Sequence, residues 1–176
     1  MCEFMHSFNF FSHRIFISYF WLNGVKDFLY VVWYYVFRRN LYRRYYKVIE
    51  TDVRGAEDKI LMAYCTCNDF DGKSLYLSMQ QTYPHFDVVI LDDSTEPSYI
   101  EEVNAFALKH GIKVVRREGR AGFKAGNINH YLQSAECKEK GYGYYVILDS
   151  DEILPKDYLY ESLKYFSPYD NVGIVQ

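Results

Sequence analysis

The sequence predicts an α/β fold with a mainly parallel, doubly wound sheet flanked by helices. Strand-like and helix-like segments alternate from Lys59 onward, which is the pattern of β–α–β units. A short apolar run, Tyr145–Leu148, is typical of a buried strand in a parallel sheet. Acidic or amide residues follow three strand-like segments, at the sheet edge where such folds bind ligands.

Residues 1–50 are rich in aromatic side chains and end in a basic cluster. The cleanest apolar run, Phe28–Phe37, has ten residues, whereas a helix that spans a membrane needs about 20. Cations alternate with tyrosines in Arg38–Lys47, a pattern typical of a cytoplasmic membrane boundary. We therefore predict a membrane-associated helical segment that spans or lies on the membrane. A helix packed on a protein partner and an RNA-binding segment are the alternatives, the latter without an RNA-binding motif.

Residues 51–58 are polar and predict a linker, and strands and helices are expected to alternate from residue 59 to the end. Short apolar runs indicate the strands. Pro84 ends the first helix, Gly111 gives the second its C-terminal stop, and Pro155 stands near the start of the last. The expected elements are strand Ile60–Cys67, helix Gly72–Gln81, strand Asp87–Leu91, helix Pro97–His110, strand Ile112–Arg116, helix Lys124–Cys137, strand Tyr144–Leu148, helix Pro155–Phe166 and a strand beginning in Val172–Gln176.

Composition and charge argue against a nucleic-acid-binding site and against a zinc site. The 176 residues suffice for one domain with its own core, and the net charge of -3 gives no argument for a nucleic acid partner. Cys65 and Cys67 are expected on one face of a strand, but no second Cys/His pair has the spacing of a zinc site. We expect buried free thiols in a reducing compartment.

Three strand ends carry the candidate ligand-binding side chains. They are Asn68-Asp69, Asp92-Asp93 and Asp149-x-Asp151. In a parallel sheet these ends share one edge, so the side chains can converge on one crevice. Two carboxylates spaced as Asp149 and Asp151 can hold a hard divalent cation, which can neutralise a diphosphate. Each pair alone could instead cap a helix or occupy a solvated turn.

A group of cations precedes the expected helix at residue 124. It comprises Arg116, Arg117, Arg120 and Lys124 within the sequence RREGRAGFKAGNIN. Cations and glycines beside an acidic edge suit a phosphate-bearing ligand, although a solvated basic loop is the alternative. The Walker sequence G-x-x-x-x-G-K-[ST] is absent, and no G-x-G-x-x-G follows the first strand.

The order of these motifs resembles the family 2 glycosyltransferases with the GT-A fold, in the branch of cellulose and hyaluronan synthases. Cys67-Asn68-Asp69 is similar to the usual Tyr-Asn-Glu end of their first strand, and VVILDDST (88–95) to their Asp-Asp-Gly-Ser stretch. SLYLSMQQTYP (74–84) resembles their helix ending in Gln-x-Tyr-Pro, and KAGNIN (124–129) a motif of the branch. Asp149-Ser150-Asp151 matches their D-x-D. The resemblance covers residues 59–176.

The resemblance implies an inverting transfer from a nucleotide-sugar donor, most often a UDP-sugar, to a hydroxyl of a glycan or lipid-linked acceptor, with Mg²⁺ or Mn²⁺. Asp69 and Asp93, with Asp92 as neighbour, would lie near uracil and ribose. Lys124 and Arg120 would lie near the diphosphate or donor sugar. Asp149 and Asp151 would hold donor and metal. The implied donor-binding set is completed by Asn68 and Asn127.

The sequence also departs from the family's pattern. Ser94-Thr95 replaces the Gly-Ser after the second acidic pair. The general base and the Gln-x-x-Arg-Trp motif of the family are expected beyond Gln176, so the sheet is expected to be incomplete at its C-terminal side and the chain to carry donor binding without efficient transfer. The main alternative is a non-catalytic module that binds a sugar nucleotide. A receiver-like or phosphatase-like domain is a further one, although receivers place a lysine after a late strand.

Overall fold

The computed structural model describes residues 2–53, 56–168 and 171–175. The chain divides into two units, Met1–Glu50 and Thr51–Gln176. Arg54 and Gly55 of the expected linker, and Gln176 of the expected last strand, lie outside the described residues.

The first unit is a single helix, α1, which runs over Cys2–Ile49. Polar residues in its aromatic sequence do not break it, because they bond within the helix. Asn23 Nδ2 donates to Tyr19 O at 2.8 Å, one turn back, and Lys26 Nζ donates to Asn23 Oδ1 at 3.4 Å. By length and composition alone, His13–Ile49 could cross a membrane. The predicted apolar N-terminal helix is confirmed, and it is longer and more continuous than the sequence suggested.

The second unit alternates strands and helices around a parallel sheet. Its elements are β1 (Ile60–Thr66), α2 (Gly72–Ser78), β2 (Phe86–Asp92), α3 (Pro97–His110), β3 (Lys113–Val115), α4 (Phe123–Leu132), α5 (Ala135–Lys140), β4 (Tyr144–Leu148) and α6 (Tyr158–Phe166). The strand order is β3-β2-β1-β4, and every neighbouring pair is parallel. The C-terminal ends of all four strands therefore lie at one edge, as predicted.

The core is divided between the two faces of the sheet because side chains alternate along β1. Met62 and Tyr64 face a cluster that includes Leu75 of α2 and Leu159 of α6. Leu61, Ala63 and Cys65 face the second cluster, which includes Tyr131, Cys137 and Tyr142. All seven residues of β1 are buried, and burying one large aliphatic side chain is worth about 1.5–3 kcal/mol. The buried central strand β1 therefore holds in place the sheet edge at which its C-terminal residues lie.

Several expected elements differ in the structure. α2 ends at Ser78 rather than Gln81, and α6 begins at Tyr158 rather than Pro155. The helix predicted over 124–137 is two helices, because Ser134 leaves the helical conformation and its Oγ accepts a hydrogen bond from Cys137 N at 3.2 Å, which starts α5. The predicted last strand is wrong for the described residues 171–175, which carry no strand. β4 has the predicted bounds, but its side chains alternate between a covered and an uncovered face, so Tyr145 and Ile147 are exposed.

Candidate functional site

A cavity of about 260 Å³ opens at the C-terminal edge of the sheet. It lies where β1 and β2 end, beside the start of α4 and the residue after β4. Its polar lining includes six of the predicted site residues, Asp69, Asp93, Arg120, Lys124, Asn127 and Asp149. The fold therefore brings together side chains that are up to 80 positions apart in sequence. Asn68, Asp92 and Asp151 do not line the cavity.

Asp69 is held by a loop just past β1. Its Oδ1 accepts hydrogen bonds from Cys67 N at 2.7 Å and Thr66 Oγ1 at 2.8 Å, and its Oδ2 accepts one from Ser150 Oγ at 2.7 Å. Partial burial works toward a higher pKa, but the hydrogen bonds from Cys67, Ser150 and Thr66 outweigh it and hold the pKa of the Asp69 carboxyl below its usual value. The carboxylate is therefore charged and fixed in direction.

Ser150, the middle residue of the D-x-D sequence, points into the protein. Its carbonyl accepts hydrogen bonds from Tyr64 Oη at 2.9 Å and Ser74 Oγ at 2.5 Å. Ser150 is buried. Because Ser150 is held inside, Asp149 and Asp151 on either side of it are exposed. Glu152 Oε2 accepts from Asp149 N at 3.0 Å, which closes the turn. The sequence did not indicate a role for Ser150.

Asp92 and Asn68 act on the protein's own backbone and side chains. Asp92 is 2% exposed. Its Oδ1 accepts from Ser94 N at 2.8 Å and its Oδ2 from Arg116 Nε at 2.7 Å. Asn68 adopts φ 58°, a left-handed conformation that asparagine tolerates, and its Oδ1 accepts from Thr95 N at 2.8 Å. Both side chains thus support the loop after β2.

Asp93 forms a two-pronged ion pair with Arg117. Arg117 Nε and Nη2 lie 3.1 and 2.8 Å from the two carboxylate oxygens, and the side chains are only 8% and 7% exposed. The hydrogen bonds with Asp93 raise the pKa of the Arg117 guanidinium. Arg117 also donates to Ala121 O at 2.6 Å and Phe123 O at 2.8 Å, so it shapes the loop before α4.

Of the four cations predicted to suit a phosphate, two are paired with the aspartates at the end of β2 and two line the cavity. Arg116 is paired with Asp92 at 2.6 Å and Arg117 with Asp93; the Arg116 side chain is 35% exposed, whereas that of Arg117 is 8% exposed. Arg120 and Lys124 line the cavity. Lys124 Nζ forms an ion pair with Asp149 Oδ1, and both side chains are about half exposed. Arg120 Nη2 lies 2.8 Å from Cys67 Sγ, a weak acceptor.

Asn127 lines the cavity and carries a buried acceptor. The residue is 3% exposed, and within the described part of the chain its Oδ1 has no hydrogen-bond partner. A buried carbonyl oxygen without a partner costs about 1–3 kcal/mol. This cost is offset if a ligand donates a hydrogen bond to the oxygen.

Gly126 allows α4 to approach the preceding loop. A Cβ at this position would lie 2.0 Å from Ala121 O and 2.7 Å from Arg117 Nη1. Glycine is therefore required for the contact that sets Lys124 and Asn127 at the cavity. The glycine of the KAGNIN sequence is explained by packing.

The Gln-x-Tyr-Pro sequence holds the segment that follows Asp151. Gln81 Nε2 donates to Pro155 O at 2.9 Å, and Gln81 Oε1 accepts from Leu159 N at 3.2 Å. Tyr83 Oη donates to Asp58 O at 2.5 Å, ahead of β1. The motif therefore anchors the segment after the D-x-D turn and the segment ahead of β1, a role that its sequence alone does not reveal.

The donor set for a metal consists of two carboxylates. Asp151 is exposed, and no partner contacts its carboxylate among the described residues, whereas Asp149 is shared with Lys124. The described residues contain no group of three or more Asp, Glu, His or Cys side chains arranged for a metal. Mg²⁺ in phosphate-binding sites commonly takes one or two carboxylates, with the remaining ligands from phosphate and water. The residues present fit an ion of that kind.

Comparisons with known proteins agree with this architecture. A mannosyltransferase from Pyrobaculum calidifontis, solved in complex with GDP-Man and Mn²⁺, superposes with a TM-score of 0.55 over 78% of this chain and 39% of its own, at 21% identity. That similarity shows the fold alone, and with the parallel sheet it confirms the predicted GT-A fold class.

Curated relatives carry glycosyltransferase names. "Probable glucomannan 4-beta-mannosyltransferase 15" of Arabidopsis thaliana is 33% identical over 94 residues, covering 51% of this chain and 17% of that protein. "Glucans biosynthesis glucosyltransferase H" of Nitrosomonas europaea is 31% identical over 102 residues, covering 52% of this chain and 11% of that protein. The matched stretch is thus a small part of either relative. The family model described as "Glycosyl transferase family 2" matches residues 73–176, more than half of the chain. The chain therefore belongs to glycosyl transferase family 2, as the motif order predicted.

Proposed function

We propose that the cavity at the sheet edge binds a nucleotide-sugar donor, a UDP-sugar, together with Mg²⁺ or Mn²⁺, for inverting transfer to a hydroxyl of a glycan or lipid-linked acceptor in polysaccharide or glycan synthesis. The observation that carries this proposal is the convergence of Asp69, Asp93, Lys124, Asn127 and Asp149 on one cavity at the ends of parallel strands. Family membership supports the class of reaction.

Each side chain has a role that its surroundings favour. Asp69 is charged and its direction is fixed, which suits hydrogen bonds to ribose or base. Asn127 Oδ1 lacks a partner, which suits an N–H or O–H of the donor. Asp93 is tied to Arg117, so it contributes an already oriented carboxylate at the cavity wall. Asn68 and Asp92 support the loops rather than contact the donor.

The diphosphate is assigned to the side where Lys124, Arg120 and the D-x-D turn meet. Lys124 is paired with Asp149, and a phosphate can take over that cation when the donor enters. Asp149 and Asp151 would hold the divalent ion, which offsets charge on the leaving nucleoside diphosphate. Lys124 stabilises the same charge directly. We assign the acceptor's general base to no residue described here.

The membrane association proposed for residues 1–50 rests on α1. The helix exposes large aromatic and aliphatic side chains from Ile15 to Ile49, and its length and composition suit a membrane. The basic cluster Arg38–Lys47 favours the cytoplasmic side for the residues that follow. Residues 59–176 would then be the donor-binding part, on that side.

Calorimetry with UDP tests the proposed donor site. We expect UDP to bind in the presence of Mn²⁺ and to lose at least about tenfold in affinity when the ion is chelated or when Asp151→Asn removes a ligand charge. Glu118→Gln, which removes an exposed charge outside the cavity, is the matched control and should bind as the wild type.

Equal affinity with and without the ion would contradict the metal assignment. A non-catalytic sugar-nucleotide-binding module stays the alternative prediction. Metal-dependent UDP binding without any release of UDP from a UDP-sugar, in the presence of acceptor glycans, would favour that alternative.

A further inference from the structure

A cysteine lies inside the proposed donor cavity. Cys67 comes directly after β1 and lines the cavity with partial exposure. Its Sγ is 2.8 Å from Arg120 Nη2, and it donates a weak hydrogen bond to Asp93 O at 3.4 Å. The thiol is therefore accessible and lies beside a positive charge. The proposed function uses neither of these properties.

A second observation points to a ligand in the same cavity. Asn127 Oδ1 is buried and unpartnered among the described residues, and it lines the cavity together with Cys67. The volume of about 260 Å³ is small. A group attached to Cys67 would fill the space that a ligand of Asn127 needs.

We propose that Cys67 is a thiol-modification site that reacts with small anionic disulfides and thereby blocks donor binding. The expected loss of donor binding rests on the proposed function, whereas the expected reactivity of the thiol does not. In the reaction, the sulfur of Cys67 attacks one sulfur of the disulfide and forms a new S–S bond. The original S–S bond breaks, its second sulfur leaves as a thiolate, and the proton of Cys67 passes to that thiolate. No net oxidation of the pair of reactants occurs.

Arg120 favours this reaction in two ways. Its guanidinium attracts an anionic disulfide to the cavity, and it stabilises negative charge on sulfur during attack. The adduct would then displace Arg120 from its place beside Cys67. Modification thus adds bulk to the cavity and moves a cation that the donor diphosphate would use.

The other described thiols are poorly placed for the same chemistry. Cys65 is 8% exposed and Cys137 2%. Burial raises the pKa of the Cys65 thiol to about 11 and also raises the pKa of the Cys137 thiol. Both therefore hold little thiolate at neutral pH, and reagents have poor access to them.

Oxidised glutathione, an anionic disulfide, tests the proposal on the full chain in detergent. The protein carries Cys2→Ser, so that the reaction reports on the three thiols described above. Mass spectrometry follows the adduct and peptide mapping locates it. We expect Cys67 to react at least about tenfold faster than Cys65 or Cys137. UDP with Mn²⁺ should slow the reaction, and Arg120→Gln should slow it without any nucleotide present.

The consequence is measured as UDP affinity before and after treatment. We expect the adduct to weaken binding at least about tenfold and dithiothreitol to restore it. Cys67→Ser should form no adduct at this position, and its affinity should be the same before and after treatment. Cys137→Ser, the matched control, should be modified and inhibited as the wild type is.

Preferential reaction of Cys65 or Cys137 would overturn the proposal, as would an adduct at Cys67 that leaves UDP affinity unchanged. If the untreated protein binds no UDP, the proposed function fails. Selective, Arg120-dependent reaction of Cys67 then still decides whether the modification site exists.

Discussion

At the scale of single residues, the site depends on which carboxylates are engaged by the protein itself. Asp92 and Asp93 each take an arginine from the segment after β3, whereas Asp151 has no partner among the described residues. Asp69 is intermediate: its carboxylate is exposed but accepts three hydrogen bonds from the protein. Acids that look alike in sequence therefore differ in what they can offer a ligand.

Ser150→Ala tests the link between the D-x-D turn and Asp69. The change removes the hydrogen bond from Ser150 Oγ to Asp69 Oδ2, so the pKa of the Asp69 carboxyl should rise toward its ordinary value of 3.8. Because the folded pKa is depressed, the bond stabilises the fold above pH 3.8, and this contribution is lost as the pH falls through the folded pKa. The loss in free energy of unfolding at neutral pH should be below about 1 kcal/mol, since the carboxylate is exposed.

Carbon-detected NMR titration of Asp69 measures its pKa, and urea unfolding at neutral and acid pH measures stability. Ser98→Ala, which changes an exposed serine in α3, is the control and should leave the pKa of Asp69 unchanged. An unchanged Asp69 pKa in Ser150→Ala would show that the two loops are not coupled through this bond.

The sequence predicted the acids at the strand ends but not their partners. Acids lie at the ends of β1, β2 and β4, where the apolar runs of the buried strands stop, and that pattern is visible in sequence. The pairing depends on the register of β2 with β3, in which Leu91 lies beside Val115. The next residues, Asp92 and Arg116, are then neighbours. Strand order and register are set by tertiary packing, so the sequence could not show that Arg116 and Arg117 are paired with aspartates of the protein.

At the scale of elements, α4 is positioned by a glycine. An alanine inside a helix is usually more stabilising than glycine by about 0.5–1 kcal/mol. At Gly126 the added Cβ would lie 2.0 Å from Ala121 O, so the sign should reverse. We expect Gly126→Ala to destabilise the fold by about 1–3 kcal/mol, the usual cost of overpacking, and to weaken UDP binding because Lys124 and Asn127 move with α4.

Gly143→Ala is the matched control, because a Cβ there would make its closest contact at 3.4 Å, with Asp58 Oδ1. Its free energy of unfolding should change by less than about 0.5 kcal/mol. Urea denaturation compares the two variants, and equal stability of both would contradict the close packing of α4.

The helix end set by a glycine was predictable, whereas the bounds expected from prolines were not: α2 ends at Ser78 rather than Gln81, and α6 begins at Tyr158 rather than Pro155. α3 ends at the left-handed Gly111, and its bounds Pro97–His110 match the prediction. The break between α4 and α5 was missed because apolar periodicity continues across it, while the deciding contact is one serine cap. The Gln81 contacts were missed for another reason: they join segments about 74 residues apart, so no local pattern reveals them.

At the scale of the whole chain, residues 1–50 should carry the protein to membranes. We expect the full chain to co-sediment with lipid vesicles. Exchanging Arg38, Arg39 and Arg43 for glutamine should reduce binding to anionic vesicles on the order of a hundredfold, since each cation near such a surface contributes about 1 kcal/mol. Glutamine at Lys109, Lys138 and Lys156, outside α1, is the control and should have little effect. Full chain that stays in the supernatant without detergent would contradict the membrane assignment.

The central claim is that a nucleoside diphosphate and a divalent ion bind at the C-terminal edge of the sheet. Paramagnetic broadening of backbone amide signals by Mn²⁺, with UDP present and the full chain in micelles, tests this most directly because broadening falls steeply with distance from the ion. We expect the signals of Ser150, Asp151 and Lys124 to disappear first, while those of Lys59 and Tyr144 at the opposite edge persist. Broadening centred on the opposite edge, or none that depends on UDP, would contradict the claim.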